Sequence, residues 1–251
     1  MITIASAKGG IGKTTISAVL GLTLAEHRGD RMVVLDANPD AGTLADRLTG
    51  HCGVTVRELL DDIDTVRSWT DMAHYTSLAG RLQVLASEQD PAMSEAFSRE
   101  EYQAVCAVLS RYFNVVITDS GTGLVHSAMG GALDSTNTLV IAGAPTLDGA
   151  SRSAKTLDWL VAHGYDELVS RALVALSCDR ASRDVDQTKI VEYFQGRCRA
   201  VVAIPADPHL SIGGVIELDA LARPTRDAFL RLAAAVAEQF SWDRPRIGGG
   251  R

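Results

Sequence analysis

Residues 8–15 read Lys8-Gly9-Gly10-Ile11-Gly12-Lys13-Thr14-Thr15, set between the apolar run Met1–Ala7 and a segment of helical period from about Thr14 to His27. Strand, glycine-rich loop and helix in that order are what a phosphate-binding loop needs. Glycines let backbone N–H groups converge on phosphate oxygens, and the helix N-terminus adds the positive end of its dipole. In such a loop Lys13 reaches the β- and γ-phosphates and the Thr14 hydroxyl binds Mg²⁺, with Gly9, Gly10, Ile11, Gly12 and Thr15 completing the cradle. An incidental glycine turn does not require the flanking strand and helix. Composition sharpens the reading: of 24 basic residues only four are lysines, and two of those, Lys8 and Lys13, lie in this loop.

Outward from the loop, apolar runs of strand length alternate with longer helical segments, the pattern of a parallel sheet covered by helices. The runs are Arg31–Asp36, Arg81–Ala86, Val115–Asp119, Thr138–Gly143, Ala172–Ser177 and Ala200–Ile204. Ser98-Arg99-Glu100-Glu101 is a capping box that predicts a helix to about Tyr112. A further helix is expected from about Asp148 to His163, stopped by Gly164. The last begins near Pro224 and carries Phe229, Leu232, Ala233, Val236 and Phe240 on one face. Between Ala41 and Gly80 the pattern resolves only into short helices, one of them Thr55–Asp61. The expected fold is therefore α/β: a single-domain three-layer sandwich with a mostly parallel sheet of about seven to eight strands. The domain spans 1–243, and Arg244–Arg251 reads as a flexible Gly- and Arg-rich tail.

With 251 residues, 46% hydrophobic, the chain has a globular composition. No stretch is long and apolar enough to span a membrane. The N-terminal sequence lacks a basic leader before an apolar run, so a signal peptide is not expected and a cytoplasmic location is. A formal net charge of −7 argues against DNA binding. The final helix lacks the strongly basic face of a membrane-surface helix, so peripheral membrane binding is not expected either. Cys52, Cys106, Cys178 and Cys198 form no C-x-x-C pair, and the six histidines show no metal-ligand spacing.

The loop has Ala7 where the common G-x-x-x-x-G-K-[ST] pattern has glycine. It matches instead K-G-G-x-G-K-T, and in this it resembles the ParA/MinD family of P-loop ATPases with a deviant loop. That resemblance implies that Lys8 is a signature lysine, reaching the partner subunit's phosphates in an ATP-dependent homodimer. It also implies that Asp119 and Asp36 hold Mg²⁺ through water and that Gly123 senses the γ-phosphate. Where the family has a second aspartate for the attacking water, this chain has Asn38, which orients water by hydrogen bonding but accepts no proton. Lys8, Lys13, Asp36 and Asn38 are thus the expected catalytic group, with Thr14, Asp36 and Asp119 toward the metal. The runs Asp36–Ala45 and Ser87–Ser98 are similar to those of MinD-like ATPases associated with type VII (ESX) secretion.

No N-K-x-D motif for guanine is present, so ATP is the expected nucleotide. The resemblance implies that Ser177, Pro205 and Asp207 lie beside the base, although Pro205-Ala206-Asp207-Pro208 also reads as a plain loop. The function implied is a slow, partner-stimulated ATPase switch that regulates or positions a larger assembly, with a secretion-system component among the candidate partners. Two other readings stay open: a nucleotide-sensing interaction module with little hydrolysis, which Asn38 favours, and a metabolic P-loop kinase or synthetase, against which Lys8 counts.

Overall fold

The computed structural model describes residues 1–6, 9–38, 42–51, 53–88, 98–121, 127–180 and 185–240. Lys8, Gly123 and the 244–251 segment lie outside them, as does most of the Ser87–Ser98 run.

Eight strands form one sheet: β1 Ile2–Ala5, β2 Met32–Ala37, β3 Ser77–Ala79, β4 Leu82–Leu85, β5 Val115–Ser120, β6 Thr138–Gly143, β7 Leu173–Ser177 and β8 Ala200–Ile204. Their spatial order is β3-β4-β2-β5-β1-β6-β7-β8, with every pairing parallel except β3 with β4. The helices are α1 Lys13–His27, α2 Leu44–Leu48, α3 Val56–Asp61, α4 Trp69–His74, α5 Arg99–Tyr112, α6 Ser127–Ser135, α7 Leu147–Ala162, α8 Asp166–Ser170, α9 Gln187–Gln195, α10 Pro208–Ser211 and α11 Arg223–Gln239. The expected α/β sandwich is observed. The strand not anticipated is β3, a three-residue antiparallel edge turned back through Gly80-Arg81. It is too short to show alternation, and its central Leu78 points to solvent.

Local chemistry explains the boundaries. The predicted capping box at α5 is made: Glu101 N–H donates to Ser98 Oγ at 3.0 Å and Ser98 N–H to Glu101 Oε2 at 2.8 Å. Thr55 with Glu58 and Ser68 with Asp71 start α3 and α4 in the same way. Alternate residues along the strands feed two cores. Val33, Leu35, Val116, Leu139 and Ile141 face α5, α7 and α9. Ile4, Val34, Ile117 and Val140 face α1 and α11. Helix α1 is buried nearly all round, and Gly21 lets it close on the sheet: a Cβ there would stand 2.8 Å from Leu82 Cδ2. Phe229, Leu232 and Val236 of α11 are buried against α1 and the sheet, each by an amount worth about 1.5–3 kcal/mol. The apolar stripe of α11 therefore belongs to the core. Among the described residues, no helix is long and apolar enough to cross a membrane.

The fold brings the ends of β1, β2, β5, β7 and β8 to one edge, where ligands of open parallel sheets bind.

Candidate nucleotide site

The glycine loop follows β1 and runs into α1. Gly12 is the N-cap residue of α1 at φ 88°, ψ 20°, and Gly10 also lies at positive φ. This left-handed backbone, which side chains resist, turns the chain so that the first N–H groups of α1 are left for a ligand. No side chain caps this helix. Ile16 N–H bonds to Gly12 O at 2.8 Å and starts the helical ladder.

Lys13 opens α1 with its side chain buried. Burial pulls its ammonium below the ordinary lysine range, while the charge of Asp119 pushes it back up. Asp119 stands near the end of β5, fully buried. Burial raises its carboxyl, and the hydroxyls of Thr14 and Ser17 and the charge of Lys13 oppose the rise. The Ser17 hydroxyl donates to Asp119 Oδ1 at 2.9 Å.

Asp36, near the end of β2, is the register partner of Asp119 on the neighbouring parallel strand. Its carboxyl is pushed up to about 7, first by burial and then by the negative charge of Asp119. Asn38 N–H donates to Oδ1 and Leu44 N–H to Oδ2, each at 3.1 Å, and the Ser87 hydroxyl adds a third donor. Ser87 in turn accepts from Gly42 N–H at 3.0 Å. Gly42 packs so tightly over this carboxylate that a Cβ there would fall 2.0 Å from Asp36 Oδ2. Gly42 thus closes over Asp36, and the Leu44 N–H ties the carboxylate to the first residue of α2.

On the far side of the loop, Gly12 and Thr15 share a cleft with Ser177, Asp179, Pro205, Asp207, Leu210 and Phe229. Three residues expected beside the base, Ser177, Pro205 and Asp207, therefore meet at one place next to the phosphate loop. Asp207 is occupied within the fold: its Oδ1 accepts from His209 N–H at 2.9 Å and its Oδ2 from Ala222 N–H at 2.9 Å. Burial alone would raise its carboxyl, but these donors and Leu210 N–H hold it below the usual carboxylate range. A second cavity, about 200 Å³, lies between Gly9, Gly10 and Ile11 and the start of α7 at Thr146, Asp148 and Arg152.

A family model, the CobQ/CobB/MinD/ParA nucleotide binding domain, matches residues 2–241. The chain belongs to this family. Its fold is the ParA/MinD fold. A ParA family ATPase from Chlorobium tepidum superposes with a TM-score of 0.78 at 18% identity, covering 93% of this chain and 97% of that one. The MinD protein of Pyrococcus horikoshii, solved with Mg-ADP, gives 0.73 at 20% identity, covering 96% and 97%. In sequence, the ESX-1 secretion-associated protein EspI of Mycobacterium tuberculosis is 34% identical over 243 residues, 95% of this chain. The chain spans only 36% of the length of EspI.

Within this ParA/MinD frame, Lys13, Thr14, Asp36 and Asp119 come together. Asn38 directly follows β2, its N–H on Asp36. Lys8 and Gly123 lie outside the described residues. Ser17, Ser87, Gly42 and Asp179 were not anticipated. Ser17 had a readable signal: it falls one turn after Lys13 and Thr14 on α1, so it faces the same strand end. Away from the site, burial pushes the Cys106 and Cys198 thiols up to about 11, which keeps them protonated and unreactive.

Proposed function

We propose that this chain is an ATP-operated switch that binds ATP with Mg²⁺, hydrolyses it slowly, and pairs with a second copy while ATP is bound. The observation that carries the reading is the meeting of Lys13, Thr14, Ser17, Asp119 and Asp36 at the mouth of a helix left uncapped.

The residues suit Mg²⁺. The donors are all oxygens, as a hard cation requires: one hydroxyl and two carboxylates. Both carboxyls are raised by burial, and that of Asp36 also by the charge of Asp119, a state that a divalent cation relieves. Among the described residues no cluster of three or more His, Cys, Asp or Glu side chains could hold a metal unaided, which leaves the remaining coordination to phosphate and water. Thr14 would ligate the ion directly, and Asp36 and Asp119 would hold its waters. When bound, the ion would neutralise charge on the β- and γ-phosphate oxygens.

Lys13 supplies a compact point charge that follows the phosphoryl group as negative charge shifts. The N–H groups of the loop and the first turn of α1 hold the remaining phosphate oxygens. Asn38 orients the attacking water and takes no proton, which supports slow turnover. Lys8 would complete the partner's site, so that assembly depends on nucleotide state. Ser177 and Pro205 would border the adenine. The identity with EspI supports a role beside a secretion apparatus, with a component of that apparatus as the partner.

Light scattering tests the switch. The expected result is a doubled mass with ATP and Mg²⁺ and a much weaker shift in Lys8→Ala; equal mass with and without nucleotide would remove the pairing step. Phosphate release on the same samples separates slow hydrolysis from mere sensing. A rate restored several-fold in Asn38→Asp would locate the slow step at Asn38.

A further inference from the structure

Arg47 is a buried cation on α2, outside the glycine loop. The residue is 8% exposed, burial pulls its guanidinium below its ordinary value, and among the described residues it forms no ion pair. Its position explains why it is kept. Helix α2 begins at Leu44, whose N–H donates to Asp36, and Arg47 lies one turn later on the same helix. From there Nη2 donates to the carbonyl of Leu210 at 3.2 Å, and its own carbonyl accepts from Ile216 N–H at 2.8 Å.

The segment so held is a wall of the base-side cleft. Leu210 and Ser211 line that cleft beside Asp207 and Pro205, and Asp207 caps α10. The clamp has further points. Ile216 is buried in the same core as Leu44 and Leu48, and a Cβ on Gly50 would stand 3.2 Å from Val215 Cγ2. Thus a single helical turn is fastened at one end to the carboxylate on the metal side and at the other to the wall on the base side.

We propose that Arg47 is a positioning residue that couples the metal side of the nucleotide site to the base side. The inference rests on the ATP–Mg²⁺ reading of that site. An ion drawing on Asp36 fixes the start of α2, and Arg47 passes that order to the Leu210–Ile216 wall before the base arrives. The base then meets a wall already ordered, and the two ligand parts strengthen each other.

The test compares ATP with ribose 5′-triphosphate, which keeps sugar and phosphates and lacks the base, each titrated with and without Mg²⁺. The gain in affinity from the base should be about tenfold larger with Mg²⁺ than without, inside the usual range of coupling between sites. In Arg47→Gln that ratio should fall toward one. In Arg47→Lys, whose ammonium can still donate to one carbonyl, much of it should remain. A residue that only stabilised the fold would lower both affinities together and leave the ratio intact. Equal base gains in the wild-type protein overturn the inference without any variant, as does an undiminished ratio in Arg47→Gln. Absence of ATP binding under both conditions would instead strike the ATP reading, and the coupling would fall with it.

Discussion

Asp36 and Asp119 on one side of the phosphate loop and Asp207 on the other are all nearly inaccessible to solvent, with the first two lying deeper, yet their carboxyls move in opposite directions. Asp207 collects N–H groups from His209, Leu210 and Ala222, and its charge is stabilised within the fold. Asp36 also has donors, but Asp119 lies opposite it in register, and two negative charges share one dry corner. Burial therefore does not separate a structural carboxylate from a functional one. What separates them is whether the fold itself completes the charge. Asp207 is complete as folded, whereas the Asp36–Asp119 pair keeps raised carboxyls despite Lys13 beside Asp119, a state that the cation of the proposed function would relieve.

The largest expected effect is on the metal side. Lys13→Ala removes the cation facing Asp119 and the reach toward phosphate together. Titration with a fluorescent ATP analogue should show affinity lowered by about 100-fold or more, the size expected when a preorganised charge is lost. Binding retained within a few-fold would mean that Lys13 serves the fold and not the ligand.

The second test uses pH. The Asp36 carboxyl, near 7 when folded, holds a proton that the unfolded chain releases near pH 4. Its contribution to stability is therefore fully present below pH 4, is lost as pH rises toward 7, and changes little above. Urea unfolding of the nucleotide-free protein should show this decline. Asp36→Asn should remove it and raise stability at pH 8 by about 2 kcal/mol, because one pKa unit corresponds to about 1.4 kcal/mol and the pair relaxes in part. The same variant should lose Mg²⁺-dependent nucleotide binding. A variant less stable than wild type at pH 8 would place Asp36 with Asp207, as a structural group.

The two sides were also unequally legible in the sequence. Lys13 and Thr14 could be read because phosphate chemistry demands fixed residue types at fixed spacing between a strand and a helix. Asp119 and Asp36 stand near strand ends, but their expected roles come from the resemblance to the ParA/MinD family. What the sequence could not display was the closure over Asp36, since it depends on Gly42 and Ser87 meeting across 45 residues. Arg47 was harder still: its partner Leu210 is 163 residues away, and a lone arginine in a short helix looks like a solvated surface residue. Strand β3 escaped for a third reason, as three residues are too few to display a periodic pattern. Ser177, Pro205 and Asp207, expected beside the base, line one cleft with Gly12 and Thr15. Their spacing did not reveal that the Asp207 carboxylate is occupied by backbone donors.

The smallest expected effect is at Asp207, and it sharpens the contrast from the other side. Asp207 is the N-cap of α10 and also holds Ala222, just ahead of α11. Asp207→Ala should lower stability by about 1–2 kcal/mol at pH 7, as other lost caps do. Because its carboxyl lies below the ordinary value when folded, its stabilising share is present above about pH 4 and lost as pH falls through the folded value. The wild type and the variant should thus converge in strong acid, while the Asp36 effect appears only on the way to neutrality. Affinity for tripolyphosphate, which reaches only the phosphate side, should be unchanged in Asp207→Ala, and affinity for ATP should weaken several-fold as the cleft wall loosens. If tripolyphosphate binding collapsed as well, the two sides of the loop would be one structural unit, and the distinction between a completed and an incomplete carboxylate would not explain the site.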